Sequence, residues 1–154
     1  ETLVAISVLL VSLAGPLSIA AQALNTAYYA RDQVTAFYLA QEAIEYVRAV
    51  RDQNYLSGDE WLLGVEDCVG ATCIVDFPEF EHSVCGSTCP RLLISETEGL
   101  FNHDSGDPSI FTRTMTMEYA PNTLDEIVIT VEVSWISRNI NRSFEIKESI
   151  FNWL

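Results

Sequence analysis

After Glu1 the next charged side chain is Arg31, and the intervening chain is almost purely apolar. Leu3 to Leu24 reads LVAISVLLVSLAGPLSIAAQAL, with only Ser7, Ser12, Ser18 and Gln22 scattered around it. As a helix this run spans about 33 Å at roughly 1.5 Å per residue, close to the hydrocarbon thickness of a bilayer. A core helix of a small globule would show a polar face. This run shows none, so residues 1–24 are predicted to sit in lipid or among other apolar helices. From Asn25 to about Asn54 the helical pattern continues but becomes one-sided. Val34, Phe37, Ala40, Ile44, Val47 and Val50 recur at spacings of three and four, with Arg31, Glu42, Glu45 and Asp52 opposite. Glu45–Arg48 and Arg48–Asp52 are spaced for surface ion pairs. Neither Gly nor Pro occurs from residue 17 to residue 57, which predicts one continuous rod whose second half needs a partner surface.

Residues 55–109 are punctuated by Gly and Pro and read as a connecting region, with short strands near Cys73–Phe77 and Arg91–Ser95. Residues 110–154 carry three strand signals. Phe111–Tyr119 alternates strictly. Ile127–Trp135 puts Ile127, Ile129, Val131, Val133 and Trp135 on one face. Ser143–Phe151 turns Phe144, Ile146 and Ile150 inward, with Glu148 breaking the series. Turns are expected at Pro121-Asn122 and Asn139–Asn141, and the short links imply antiparallel neighbours. The predicted fold is α+β: a long amino-terminal helix whose amphipathic half covers a carboxy-terminal antiparallel sheet. Arg113 falls on the apolar face of its strand; pairing with a buried acid, a subunit contact and snorkelling at the sheet edge are all open, and snorkelling is favoured.

Composition narrows the function. Hydrophobic residues make up 49% and charged residues 19%, which excludes a disordered chain. The formal net charge of -14 disfavours nucleic-acid binding, which needs clustered Lys and Arg, and docking on anionic lipid through a basic patch. No nucleophile, metalloprotease or phosphate-loop motif is present, and His82 and His103 stand in loops without catalytic company. No enzyme activity and no cofactor are expected. Asp104–Asp107 lacks the EF-hand pattern, and the sequon Asn141-Arg-Ser143 is read as a turn.

All four cysteines, Cys68, Cys73, Cys85 and Cys89, fall in the connecting region. Their spacing is a poor match to a zinc knuckle. An even number in a loop-rich segment anchored outside the cytoplasm points to disulfides. Three connectivities are open. The nested one, Cys68–Cys89 with Cys73–Cys85, is favoured because Ile74–Phe80 and its return would form a hairpin that it clamps.

The apolar run admits a secretory signal, with Ala21-Gln22-Ala23 as its cleavage site, or a plain single-pass anchor. An acidic start argues against the signal, and Gly15-Pro16 in mid-helix counts mildly against the anchor. The start Glu1-Thr2-Leu3-Val4-Ala5-Ile6, followed by the apolar run, resembles a mature type IV pilin or pseudopilin. So does Gln41-Glu-Ala-Ile-Glu-Tyr-Val-Arg48. More softly, so do the run Phe111-Thr-Arg113, the V-x-V-x-W strand and the terminal Asn-Trp. In that family a few residues, the first aromatic, stand before the glutamate; the sequence here begins at Glu1. The resemblance implies a helical homopolymer whose core is bundled amino-terminal helices, with the subunit held in the inner membrane before an assembly machine extracts it. It implies that Glu1 pairs with a neighbour's amino terminus, and that the helix melts around Gly15 and Pro16, roughly between Leu10 and Ile19, once packed. The cysteines depart from the family's common carboxy-terminal bracket. The expected setting is an extracellular filament serving adhesion, motility or surface attachment. The alternatives are a minor pseudopilin of a secretion or competence pseudopilus and a monomeric membrane-anchored binding module.

Overall fold

The computed structural model describes residues 2–86 and 88–153, so the role expected for Glu1 lies outside the described residues. Helix α1 runs Thr2–Ser57 without a break. The chain divides into two compact units, Glu1–Thr35 and Ala36–Leu154. Among its described residues the first is helix alone. The second, the head, combines the last part of α1 with a five-stranded antiparallel sheet.

The helix ends three residues beyond the expected Asn54 because Gly58 supplies a left-handed stop, at φ +77°. The Gly58 N–H donates to the Tyr55 carbonyl at 3.2 Å and the Asp59 N–H to the Asn54 carbonyl at 2.9 Å. Those two bonds are a Schellman cap, which satisfies carbonyls the helix end would otherwise orphan. The buried stripe is Ala36, Leu39, Ala40, Ala43, Ile44, Tyr46, Val47 and Val50. It is rotated from the one expected: Val34 and Phe37 stay exposed.

Strands β1 (Thr72–Asp76), β2 (Glu81–Val84), β6 (Phe111–Tyr119), β7 (Glu126–Ser137) and β8 (Ile140–Phe151) form the main sheet, in the order β2-β1-β6-β7-β8. Strands β3 (Leu93–Ile94), β4 (Phe101–Asn102) and β5 (Asp107–Pro108) form a small second sheet, β4-β3-β5. Gly106 is obligatory there: a Cβ would stand 2.1 Å from the Ile94 carbonyl oxygen. The inner face of β7 is the expected set, Ile127 through Trp135, all buried against the helix stripe. The β7–β8 turn is Arg138-Asn139, one residue earlier than expected. Both residues take positive φ, as a two-residue type I′ hairpin demands.

Three expectations are corrected. Arg113 does not snorkel. It is fully buried, its Nη1 donates to the Leu39 carbonyl at 3.0 Å and to the Glu42 carboxylate, and its Nη2 donates to the Val75 carbonyl at 2.7 Å. Glu42, placed by periodicity on the water side, faces the sheet to meet it. Arg48 pairs with Glu45 as expected, but its other amine meets Glu148 of β8 instead of Asp52, which pairs with Arg51. Glu148 breaks the alternation because a helix cation waits there.

The nested disulfides are the third correction. The bridges are local, Cys68–Cys73 and Cys85–Cys89. The hairpin does form, but its register sets Cys73 opposite Val84, and the Cys85 N–H donates to the Thr72 carbonyl at 2.9 Å. Cys85 is therefore one residue out of step with Cys73, and side chains one step apart point to opposite faces. Cys68 and Cys73 are buried in the core, whereas Cys85 and Cys89 are only partly covered. Closing loops this short contributes about 2 kcal/mol each through chain entropy. The C85A/C89A protein is expected to lose about that much in urea denaturation. C68A/C73A is expected to lose about 1–2 kcal/mol more, because buried sulfur is also removed. Equal losses would mean that the core bridge adds no packing.

Candidate functional site

Two features of the chain invite function: the apolar first unit, and a polar pocket at one end of the head. In the first unit every described residue from Thr2 to Arg31 is exposed. By length and composition this part of α1 can cross a membrane, and none of its most apolar window is buried. Its few hydroxyls are already satisfied. Ser7 donates to the Leu3 carbonyl at 2.8 Å, Ser12 to the Leu9 carbonyl at 2.8 Å, and Thr26 to the Gln22 carbonyl at 3.1 Å. Each bond hides a polar group against the helix's own backbone, which lowers the cost of leaving water. Ile19, Gln22, Ala23, Thr26, Ala27 and Ala30 line a shallow groove on the same segment. Tyr28 and Tyr29 follow the apolar run, where amphipathic rings favour a lipid–water boundary. Arg31 stands 5.5 Å from the Tyr28 ring centroid.

Gly15 and Pro16 lie inside the continuous helix. Proline has no N–H to offer the Ser12 carbonyl, and its ring crowds it. A Cβ at Gly15 would meet nothing within 4 Å, so packing within the chain does not require glycine there. Together the two residues weaken the helix by about 4 kcal/mol relative to alanines.

The polar pocket opens at the end of β1. It has a volume of about 390 Å³ and is lined by Asp76, Glu79, Glu81, His82, His103 and Asp104, among others. Asp76, the last residue of β1, accepts the His103 backbone N–H on Oδ2 at 2.7 Å, which ties the segment after β4 to the main sheet. Asn102 shapes that segment, its side-chain oxygen accepting the N–H groups of Asp104 and Ser105 at 2.9 and 2.8 Å. Asp76 Oδ1 and both ring nitrogens of His103 are buried without a hydrogen-bond partner. Burial pushes the His103 imidazole below its ordinary pKa. Nearby Arg113 acts the same way, and Asp76 opposes them. His82 is different. One ring nitrogen meets the Tyr46 hydroxyl at 2.9 Å and the other the Asp67 carboxylate at 2.8 Å. Burial raises the Tyr46 pKa, with Asp67 and Glu81 adding to the effect.

Compared with known proteins, the chain matches no family model, no curated protein and no solved structure.

Function therefore has to be argued from the chain itself. The long apolar helix points to membrane association or a signal sequence, and the two disulfides are consistent with an extracellular setting. Of the site residues expected from sequence, Gly15 and Pro16 share the apolar helix, and the four cysteines pair as neighbours. Asp67, Cys68 and Cys73 also converge, but the two sulfurs are bonded to each other and so offer no thiolate to a metal. Sequence reasoning passed over the Asp76–His103 contact. The residues are 27 apart, and only the placement of the small sheet joins them.

Proposed function

We propose that the chain is the structural subunit of an extracellular type IV pilus-like filament, built by bundling of its amino-terminal helices. The carrying observation is a single helix with two different surfaces. From Ala36 onward it buries an apolar stripe under a sheet; before Arg31 it is apolar all round and exposed. Lipid can cover that first part while the subunit waits in the membrane. Copies of the same helix can cover it permanently, since each rod in a bundle touches several others. Staggered, heterologous contacts of this kind do not close on themselves and propagate as a helical fibre. The groove of small residues around Ala23 and Ala27 allows close helix approach, and the weak point at Gly15-Pro16 lets the helix adapt to its neighbours. The acidic heads would coat the outside of the fibre, which disfavours capture of DNA by charge attraction.

The test is electron microscopy and mass spectrometry of material sheared from cells expressing the chain. Long fibres composed of this protein are expected. A protein found only as single molecules in the membrane fraction would favour the anchored binding module and overturn the filament.

A further inference from the structure

We propose that the head docks against a second copy of this chain through two complementary patches: the acidic, aromatic β1–β2 turn of one copy seats in a basic groove across β6, β7 and β8 of the next. Five of the eight cations are already committed, Arg31, Arg48, Arg51, Arg113 and Lys147 each holding a carboxylate of the same chain. Arg91 and Arg138 are exposed and have no ion-pair or hydrogen-bond partner among the described residues. In a chain with 22 acids, cations left without one are the exception.

Arg91 and Arg142 line a groove of about 410 Å³, with Ile110 and Ile136 beside them and Glu132 as the one acid. Thr112 and Ser134, set side by side by the strand register, also line it. Both alternate with the buried positions of their strands, so the groove opens on the sheet face away from the helix. Ile110 and Ile136 are 42% and 49% exposed there. Arg138 stands in the turn that closes the β7–β8 hairpin, two residues past Ile136. The groove is thus a cationic place with apolar walls in a head that is otherwise acidic.

The β1–β2 turn has the opposite character. Glu79 and Glu81 are exposed, have no ion-pair partner among the described residues, and line a pocket to which neither Lys nor Arg contributes. Phe77 and Phe80 are exposed next to them. Arginine and aromatic side chains are those that interfaces enrich, and matched potentials fix which surfaces meet. None of residues 77–81 lines the groove of its own chain. The turn leaves from the β2 edge, and β8 stands four strand spacings away, about 19 Å at roughly 4.8 Å each. The two patches therefore meet between copies. Because they are different surfaces, the contact is heterologous and repeats from head to head instead of closing on a dimer. It rests on the filament reading in one respect, that an array of rods is what brings heads side by side.

A benzophenone amino acid in place of Ile136, in the full chain, reads the contact by photocross-linking in both sheared fibres and the membrane fraction. The cross-linked peptide is expected to hold residues 77–81 of a second copy. Arg91→Glu with Arg138→Glu, or Glu79→Arg with Glu81→Arg, should lower its yield about tenfold, and the chain carrying all four reversals should restore it. The four positions are exposed, and the membrane pool of subunit checks that the variants fold. Fibres whose cross-links fall on other residues, unchanged yield after either reversal, or no restoration by the fourfold variant would overturn the contact and leave the filament standing. The expected cross-link in membranes without any fibres would keep the contact and overturn the filament. No cross-link in either fraction would overturn the contact.

Discussion

Glu42→Ala is expected to destabilise the head by about 3–5 kcal/mol, more than removal of the cation it faces. Arg113 is wholly buried, and among the described residues its hydrogen-bond partners without Glu42 are the Leu39 and Val75 carbonyls. Burying a charge without a counter-charge is among the costliest defects a core can carry. Arg113→Met is gentler. It fills similar space with apolar atoms, and the Glu42 it leaves behind is 28% exposed and can turn to water. The double variant should resemble Arg113→Met alone. Urea denaturation of the three proteins tests this ordering. A loss below about 1 kcal/mol for Glu42→Ala would mean that the carbonyls alone neutralise the cation.

Glu1→Leu is expected to reduce sheared fibre yield at least tenfold while leaving the membrane-bound pool of folded subunit unchanged. A carboxylate among apolar helices carries a penalty of several kcal/mol until it is paired. On the filament reading, only a neighbouring subunit in the correct position supplies the partner, through its amino terminus. Leucine removes both the penalty and the signal, so subunits would still enter lipid but dock without register. Immunoblots of sheared and membrane fractions separate the two effects. Equal fibre yield from the leucine protein would remove the role assigned to Glu1.

The parts of the fold legible in the sequence are those where one physical rule dominates. Alternation in Phe111–Tyr119 and Ile127–Trp135 reports a sheet wet on one side, and those strands appear where expected. The helix was equally plain, because neither Gly nor Pro interrupts it after Pro16. What stayed hidden depends on pairing across distance. Periodicity alone puts Glu42 in water; it faces inward because Arg113, 71 residues later, needs it. Glu148 looked like a fault in its strand until Arg48 was placed above it. The cysteine connectivity turned on a one-residue register between β1 and β2, which no spacing rule encodes. The polar pocket was the least legible feature, since neither Asp76 nor His103 sits in a motif.

The two bridges have a consequence for biogenesis. Each joins cysteines only five and four positions apart. In any oxidising compartment thiols this close in sequence meet by local diffusion, before the last three strands are needed. Correct oxidation of the polypeptide thus requires no encounter between distant parts of the chain.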